Sequence, residues 1–364
     1  MTALSGAPRP LTAPGPEPVG VAHTGPALAQ RLPALAEFVT AGGRVALSRH
    51  PGWLPVLEAG LGHEPIALEA LRGGHTVGYL GLAYVKSLLF GRFLVSLPYL
   101  NYGGAVAEDE RAATALTDRA VLLADQLRVR YLELRHEWAQ DHPALGQRRT
   151  DKVHMRLELP ATADALWKQL DAKVRNQVRK GQKGGFTVHW GGPELLAEFY
   201  DVFSRNMRDL GTPVFGRRLF AAVLRQFPDR SELCVVRDGP RPAAAALLLH
   251  GWGVTEVPSA SALRDYNPSC VNMLMYWHLL ERAAGRGQEV FDFGRSSDGS
   301  PTWRFKKQWG AAACPAEWQY HLRRGSVGEM RADNPRYRRL IRVWQRLPVW
   351  VTRCLGPQVV RGIP

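Results

Sequence analysis

Val290-Phe291-Asp292-Phe293-Gly294-Arg295 reads as an apolar strand closing on a glycine and a guanidinium, and Tyr131-Leu132-Glu133-Leu134-Arg135 is its earlier counterpart. Working upstream from each gives one order of elements. Before the first copy, Ile66 to Arg72 and Val77 to Val85 flank Gly73-Gly74, Val95 to Tyr99 adds a strand, and Glu108 to Leu127 has helical periodicity with acids in its first turn. Before the second, Arg237-Asp238-Gly239 punctuates two strands, and Ala243 to Leu249 pairs with Val254 to Ala260 as a hairpin. A helix over Pro268 to Ala284 follows, with Asn267 as N-cap and Pro268 at its first position. Arg72 to Arg135 spans 63 positions and Arg237 to Arg295 spans 58, so the spacing repeats as well as the order. Ahead of the first copy come a helical run from about residue 31, a short strand over Arg44 to Ser48, and His50-Pro51-Gly52-Trp53 opening a helix. The expectation is a mixed α/β unit used twice.

The length agrees, since 364 residues exceed what one core usually organises. The net charge of +14 favours phosphates, nucleic acid or an anionic membrane face without choosing among them. Cys234, Cys270, Cys314 and Cys354 stand singly, which fits a reducing cytoplasm better than a disulfide framework or zinc site. Residues 1–30 are rich in Ala, Pro and Gly and read as a disordered tail without a secretory h-region. No apolar run is long enough to span a bilayer.

Three segments carry candidate chemistry. Leu166, Leu170, Val174 and Val178 recur every four residues, giving one helix a docked face, while Lys173, Arg175, Arg179, Lys180 and Lys183 offer charge to an anion. The helix from Pro268 is apolar nearly all round and therefore buried, and its positive amino end suits a phosphate or an oxyanion, with Arg264-Asp265-Tyr266-Asn267 at the mouth and Asn272 in its first turn. In the third segment, Asp292-Phe293-Gly294-Arg295 sets a carboxylate and a guanidinium at a strand end, either as a buried ion pair or as part of a site. It continues into Trp303-Arg304-Phe305-Lys306-Lys307-Gln308-Trp309-Gly310, whose aromatics bury the segment while one lysine turns inward, where it could stabilise a tetrahedral intermediate.

Lys173-x-Arg175-x-x-x-Arg179-Lys180-x-x-Lys183-x-Gly185, the Tyr266 to Trp277 region, Asp292-Phe293-Gly294-Arg295 and Phe305-Lys306-Lys307-Gln308-Trp309-Gly310 stand in the order seen in FemAB-like proteins, and His50-Pro51-Gly52-Trp53 is similar to their early helix start. Over residues 40 to 322 the chain resembles that family, and most of all its members associated with exosortase (PEP-CTERM) and exopolysaccharide systems. The resemblance implies two tandem GNAT-like domains, each a mixed, mainly antiparallel sheet flanked by helices, over 31–160 (acceptor cleft) and 161–322 (acyl-transfer centre). It implies attack of an amine on an activated acyl group, with acyl-CoA or aminoacyl-tRNA as co-substrate and no bound cofactor. The acceptor it implies is an amine of a cell-envelope, peptidoglycan or exopolysaccharide precursor, phosphate-bearing or lipid-linked.

By that analogy Lys306 stabilises the oxyanion, with Lys307 its substitute, Asp292 and Tyr266 are candidate bases, and Lys173, Arg175, Arg179, Lys180, Asn272, Arg295 and Lys307 bind substrate. A GNAT glycine signature and the coiled-coil arm of some cross-bridge builders are both absent from the sequence. Tyr99, Asn101 and Tyr102, beside Gly103-Gly104, are either acceptor-cleft residues or a tight turn after a strand, the turn being favoured.

From Arg323 to Arg361 the chain has ten arginines with only Glu329 and Asp333 as acids, mixed with Leu340, Val343, Trp344 and Trp350. This basic amphipathic segment over 323–364, broken at Pro348, suits either an anionic membrane surface or packing on the second domain, and it makes a cytoplasmic protein peripheral to the inner membrane face one expectation. The competing reading is a non-catalytic scaffold binding nucleic acid or membrane through charge alone; specific DNA binding is not expected, because no base-reading module is present. His136, Asp141 and His142 form no recognised metal-ligand set, so no metal is expected.

Overall fold

A computed structural model describes residues 18–326 and 338–363, and expectations resting on 1–17 and 327–337 lie outside it. In chain order the first elements are β1 (Gly20–His23), α1 (Leu28–Thr40), α2 (Trp53–Leu61), β2 (Glu64–Arg72), β3 (His75–Ser87), β4 (Gly91–Ser96), β5 (Val106–Ala107), α3 (Glu110–Gln126), β6 (Tyr131–His136) and β7 (Gln147–Arg149). Then come β8 (Lys152–Glu158), α4 (Ala163–Gln169), α5 (Ala172–Gln182), β9 (Thr187–Gly191), α6 (Leu196–Leu210), α7 (Arg217–Gln226), β10 (Ser231–Asp238), β11 (Arg241–His250) and β12 (Val254–Ala262). The chain ends through α8 (Val271–Gly285), β13 (Val290–Ser297), α9 (Pro301–Lys307), β14 (Ala312–Pro315), β15 (Glu317–Leu322), α10 (Arg338–Trp344) and α11 (Val349–Val360).

The described residues fall into two compact units, one reaching Thr150 and adding Pro315 to Ser326, the other Asp151–Cys314 with 338–363. The first has sheet order β1-β2-β3-β4-β6-β15-β7, with β5 on β3; the second has β14-β8-β13-β12-β11-β10-β9. Each sheet is mainly antiparallel and contains a parallel pair, β4 with β6 and β12 with β13, and helices flank both. The expected mixed sheets are therefore present in tandem, and β2-β3-β4-α3-β6 matches β10-β11-β12-α8-β13 element for element.

Local chemistry explains the shared part. Gly73 and Gly74, at φ 55° and 81°, supply the paired left-handed residues of a tight hairpin between β2 and β3. Asp109 caps α3 by accepting from the amide of Ala112. That helix lays Leu116, Ala120 and Leu123 on Leu68, Leu80, Leu82, Leu94 and Leu132 of the first sheet. In the second unit α8 buries residues all round, as its composition predicts, and fully buried Leu279 and Leu280 each contribute about 2 kcal/mol.

Several expectations change. Residues 20–23, read as tail, form β1, which pairs with β2 from Gly20↔Leu71 to His23↔Leu68 and covers an edge that would otherwise present open backbone groups; α1 follows from Leu28. Val45 makes only an isolated bridge in the stretch read as a strand over Arg44 to Ser48, and Leu47–Arg49 is one 3-10 turn pinned by the Trp53 indole donating to the Leu47 carbonyl. β4 stops at Ser96 because Leu97 and Tyr99 take φ of 40° and 71°. The basic helix is two helices, broken where Leu170 turns extended and Asp171 caps α5. The hydrophobic helix starts at Val271, not Pro268, because Cys270 at φ 61° separates it from a 3-10 stretch over Arg264–Ser269, so Asn267 is not its N-cap. The division at 160/161 and 322/323 also moves: β8 lies in the second unit, while β15 returns to pair with β6 of the first.

Candidate functional site

The second unit's sheet opens between β12 and β13. These strands pair in parallel at Val254↔Val290, Thr255↔Phe291 and Glu256↔Asp292, and no pairing follows. Two irregularities of the chain lie beside this point. Pro258 in β12, which has no N–H to donate, falls in the bulge where β12 slips against β11 between Leu249↔Glu256 and Leu247↔Ser259. On β13, Gly294 at φ 75° lies in an irregularity between Asp292 and Arg295 that bends the strand. Beyond the buried Val254 to Val257, Pro258 is exposed and Ser259 and Ala260 half-buried, so the gap is open to solvent.

Lys306 comes to β13 just past Asp292, the last residue paired with β12. Ser300 caps α9, its hydroxyl accepting from the Trp303 amide, and Pro301 fixes the first helical position. The last turn then turns Lys306 inward, where Nζ donates to the carbonyls of Gly294 (3.1 Å) and Arg295 (3.2 Å). Burial pushes its pKa down to about 8; Asp292 opposes that shift and Arg295 adds to it. Lys307 faces outward, with its ammonium 4.6 Å from the Trp303 ring centre. Of the lysine pair, the inward one is Lys306.

Asp292 is fully buried, its Oδ1 accepting from the Gly294 amide (2.7 Å) and its Oδ2 from Arg156 Nε (3.2 Å). Both oxygens are thus engaged in holding the β13 bend. Asp292 forms an ion pair with Arg156 of β8, and Arg295 is half-buried on β13. Tyr266 sits elsewhere, edge-on to Phe186, with its pKa raised by burial first and by the neighbouring Asp238 carboxylate second. The structure therefore groups Lys306, Asp292 and Arg295 on β13 and α9 and leaves Tyr266 at the turn between β10 and β11.

The basic residues divide as well. α5 packs on α8 through Gly181, where a Cβ would come 2.8 Å from Leu274 Cβ and 3.1 Å from the Cys270 carbonyl oxygen. This close approach brings the last turn of α5, with Lys180, to the first turn of α8, where Asn272 is half-buried. Arg175 Nη1 donates to the carbonyls of Leu170 (2.8 Å) and Lys168 (3.3 Å), closing the C-terminal end of α4. Arg179 lies 5.5 Å from the Trp167 ring centre and donates to Asn176. Lys173 and Lys180 are exposed.

Three residues escaped sequence reading. Glu256 is buried on β12 in register with Asp292, so two carboxylate-bearing positions flank the point where the strands part. Arg156 meets Asp292 across 136 positions of sequence. Ser296, on β13 beyond the bend, buries a hydroxyl that has no hydrogen-bond partner. Only Pro258 gave a signal, as a proline inside an otherwise good interior strand.

The first unit closes the equivalent gap. Its parallel pair is Leu94↔Leu132 and Val95↔Glu133, after which residues 96–104 take up the released groups. The Arg135 amide donates to Ser96 Oγ (2.8 Å), Arg135 Nη1 to the Leu100 carbonyl (2.8 Å), and the amides of Gly103 and Gly104 to the Arg135 carbonyl. A Cβ at Gly103 would stand 2.6 Å from the Ser96 carbonyl oxygen, so the segment fits only as glycine. Tyr102 is fully buried beneath Arg49, Tyr99 bonds and stacks with His63, and Asn101 is half-buried. The turn reading of this stretch is the one that fits, with Tyr102 as packing rather than cleft lining.

Residues 168–307 match the family model described as an acetyltransferase (GNAT) domain. Among solved structures the chain is similar to FemX, at 15% identity and a TM-score of 0.59 over 79% of this chain and 95% of that one. It is also similar to the C-terminal domain of a putative lysylphosphatidylglycerol synthetase from Agrobacterium fabrum (12%, TM-score 0.53, 81% and 92%). A tandem GNAT protein from the clavulanic acid biosynthesis pathway gives 14%, TM-score 0.51, 83% and 97%. No curated protein matches. The chain thus has the fold of two GNAT-like units in tandem, and its residues 168–307 match an acetyltransferase (GNAT) domain.

Proposed function

We propose that the protein transfers an acyl or aminoacyl group from an activated donor, acyl-CoA or aminoacyl-tRNA, to an amine of a cell-envelope or exopolysaccharide precursor. The acceptor is phosphate-bearing or lipid-linked, and the protein works in the cytoplasm at the inner membrane face. The observation that carries the reading is the gap between β12 and β13, with the Lys306 ammonium bonded to the β13 carbonyls just past the last paired residue. Beyond Glu256, the backbone groups on the β13 side of β12 lack a strand partner, so an extended donor arm bearing amides can add there as a short strand. Its carbonyl then lies toward Lys306, two of whose three N–H donors are held by Gly294 and Arg295 while the third is aimed by them.

Attack by the acceptor amine puts negative charge on that carbonyl oxygen, and a preorganised cation in a partly dry site stabilises it. Collapse expels the thiolate or ribose oxygen and leaves an amide, the nucleophile's proton leaving as the C–N bond forms. Asp292, held by Arg156 and Gly294, acts as a positioning residue that keeps the bend and hence the Lys306 acceptors in place. Glu256, buried beside Asp292 at the start of the gap, is a further candidate to relay the proton. Lys180 and Lys173 meet phosphates, Asn272 and Arg295 line the approach, and Tyr266 contributes to the outer rim. The first unit, whose own gap is filled, serves the acceptor.

The putative lysylphosphatidylglycerol synthetase is named for a lipid product, which supports a lipid-linked acceptor, and the resemblance to exosortase-associated proteins favours an exopolysaccharide one. The test is mass spectrometry of an envelope extract incubated with the protein and pools of acyl-CoA or charged tRNA. A donor-dependent mass gain on an amine, lost with Lys306→Met, is expected; no product from either pool overturns the reading.

A further inference from the structure

α10 and α11 both dock on α6. Ile341 of α10 closes on Gly211, where a Cβ would stand 2.5 Å from Ile341 Cγ2, and the Gln345 side chain donates to the Asp209 carbonyl (3.1 Å). α11 buries Thr352 and Gly356, and Arg353 donates to Ser204 Oγ (2.8 Å) and Asp201 Oδ1 (2.5 Å). At 100° per residue, the side of α10 opposite Ile341 and Gln345 carries Arg339, Val343 and Arg346, flanked by Leu340 and Arg342. The side of α11 opposite Thr352 and Gly356 carries Trp350 and Leu355 on either side of Cys354. Exposure agrees: Leu340 is 65%, Val343 58%, Trp350 72% and Leu355 48% exposed.

From Arg338 to the C-terminus the sequence has no Asp or Glu. Among the described residues Arg339, Arg342 and Arg346 are exposed and enter no ion pair, whereas Arg353 is used to pin α11. An outward face that joins unpaired guanidinium groups to four large apolar side chains has a specific match. A nucleic-acid backbone would pair with the arginines and leave Leu340, Val343, Trp350 and Leu355 in water. An anionic lipid interface takes both, the guanidinium groups at phosphates and the indole and aliphatic groups at the base of the headgroups. Neither helix is long enough to cross a bilayer, and no described helix meets that length and apolarity.

We propose that the outward faces of α10 and α11 form a docking surface for anionic phospholipid headgroups, seating the second unit on a bilayer. This rests on, and deepens, the reading of a lipid-linked acceptor, but it is read by binding alone.

The experiment is co-sedimentation of the full chain with phosphatidylcholine vesicles, with and without phosphatidylglycerol, at low and high salt. Binding is expected only to the phosphatidylglycerol vesicles and should weaken as salt rises. Replacing Arg339, Arg342 and Arg346 together by Gln should lower partitioning by on the order of a hundredfold. Trp350→Ala should lower it by about tenfold. Should the triple variant fail to fold, quenching of the wild-type protein by brominated phosphatidylglycerol, reduced in Trp350→Phe, carries the test instead. Lys306→Met should bind vesicles as the wild type does, so loss of transfer and loss of docking are separable. The proposal is overturned by no binding at low salt, by equal binding to neutral vesicles, by full binding of the triple variant, or by capture of transfer RNA through these arginines with vesicles ignored.

Discussion

Replacing Lys306 by Met separates its chemical role from its structural one. In the fold the ammonium is held at a pKa of about 8 against an ordinary 10.5, so at pH 7 keeping it charged costs about 3 kcal/mol relative to the neutral amine. Methionine removes the charge and fills similar volume, but it leaves the Gly294 and Arg295 carbonyls without their donor, at about 1 kcal/mol each. The net expectation at pH 7 is a gain of about 1 kcal/mol, where truncating an ordinary buried side chain would cost stability. The pH dependence sharpens this. Because the folded pKa is the lower one, the unfolded chain binds more protons between pH 8 and 10.5, and wild-type stability rises relative to the variant over that window. From pH 7 to pH 9.5 the variant's advantage should fall by about 2 kcal/mol. Urea unfolding of both proteins at the two pH values measures this, and transfer rates measured beside it should drop by about 10²–10³ with the oxyanion donor gone. A variant that loses about 2 kcal/mol at pH 7 and keeps its activity would refute both the strained ammonium and its catalytic use.

Asp292→Asn leaves the Arg156 guanidinium against a neutral side chain in the sheet and should cost about 3 kcal/mol in urea unfolding, with transfer lost as the β13 bend relaxes. Arg175→Ala and Lys180→Ala are predicted to part company: the first loses about 1 kcal/mol of stability with the α4 carbonyls it closes, and the second is neutral in unfolding but weakens capture of a phosphate-bearing substrate at low salt. Glu232, bonded to His250 and Arg282 with its pKa lowered to about 2, should contribute about 3 kcal/mol above pH 4.5, lost as pH falls toward 2. Glu232→Gln should therefore shift the denaturation midpoint at pH 7 and much less at pH 3.

What the sequence disclosed was local in origin. Gly73-Gly74, the alternation of Ala243 to Leu249, and the all-apolar α8 each declare an element from neighbouring residues, and the repeat in their order disclosed the tandem arrangement. What it hid was non-local. β15 returns to Tyr131–His136 from nearly the far end of the chain, and Arg156 finds Asp292 from another strand, pairings that no window of neighbouring residues encodes. Lys306 was legible because aromatics on both sides force one lysine inward, yet its acceptors are main-chain carbonyls of a bend that only the folded β13 creates. Arg175 and Arg179 looked like anion binders from charge alone. Each instead spends donors or ring contact within α4 and α5, a use that composition does not distinguish from substrate binding.

The two gaps explain why one fold used twice need not give two equal sites. Wherever a parallel pair ends inside a sheet, backbone groups of both strands lose their partners, and leaving them buried without replacement is costly. The first unit solves this with its own chain: Ser96, Leu100, Gly103 and Gly104 satisfy the Arg135 backbone and side chain, at the expense of two left-handed non-glycine residues and two glycines that admit no side chain. The second unit leaves the problem to solvent or ligand. The residues of β12 after Val257 stay partly exposed, and β13 beyond its last paired residue is bent and braced by Asp292, Arg156 and Lys306. A gap filled by its own backbone cannot admit an extended donor, whereas a gap beside a braced bend can. That difference in backbone satisfaction, more than any single side chain, supports assigning the donor to the second unit.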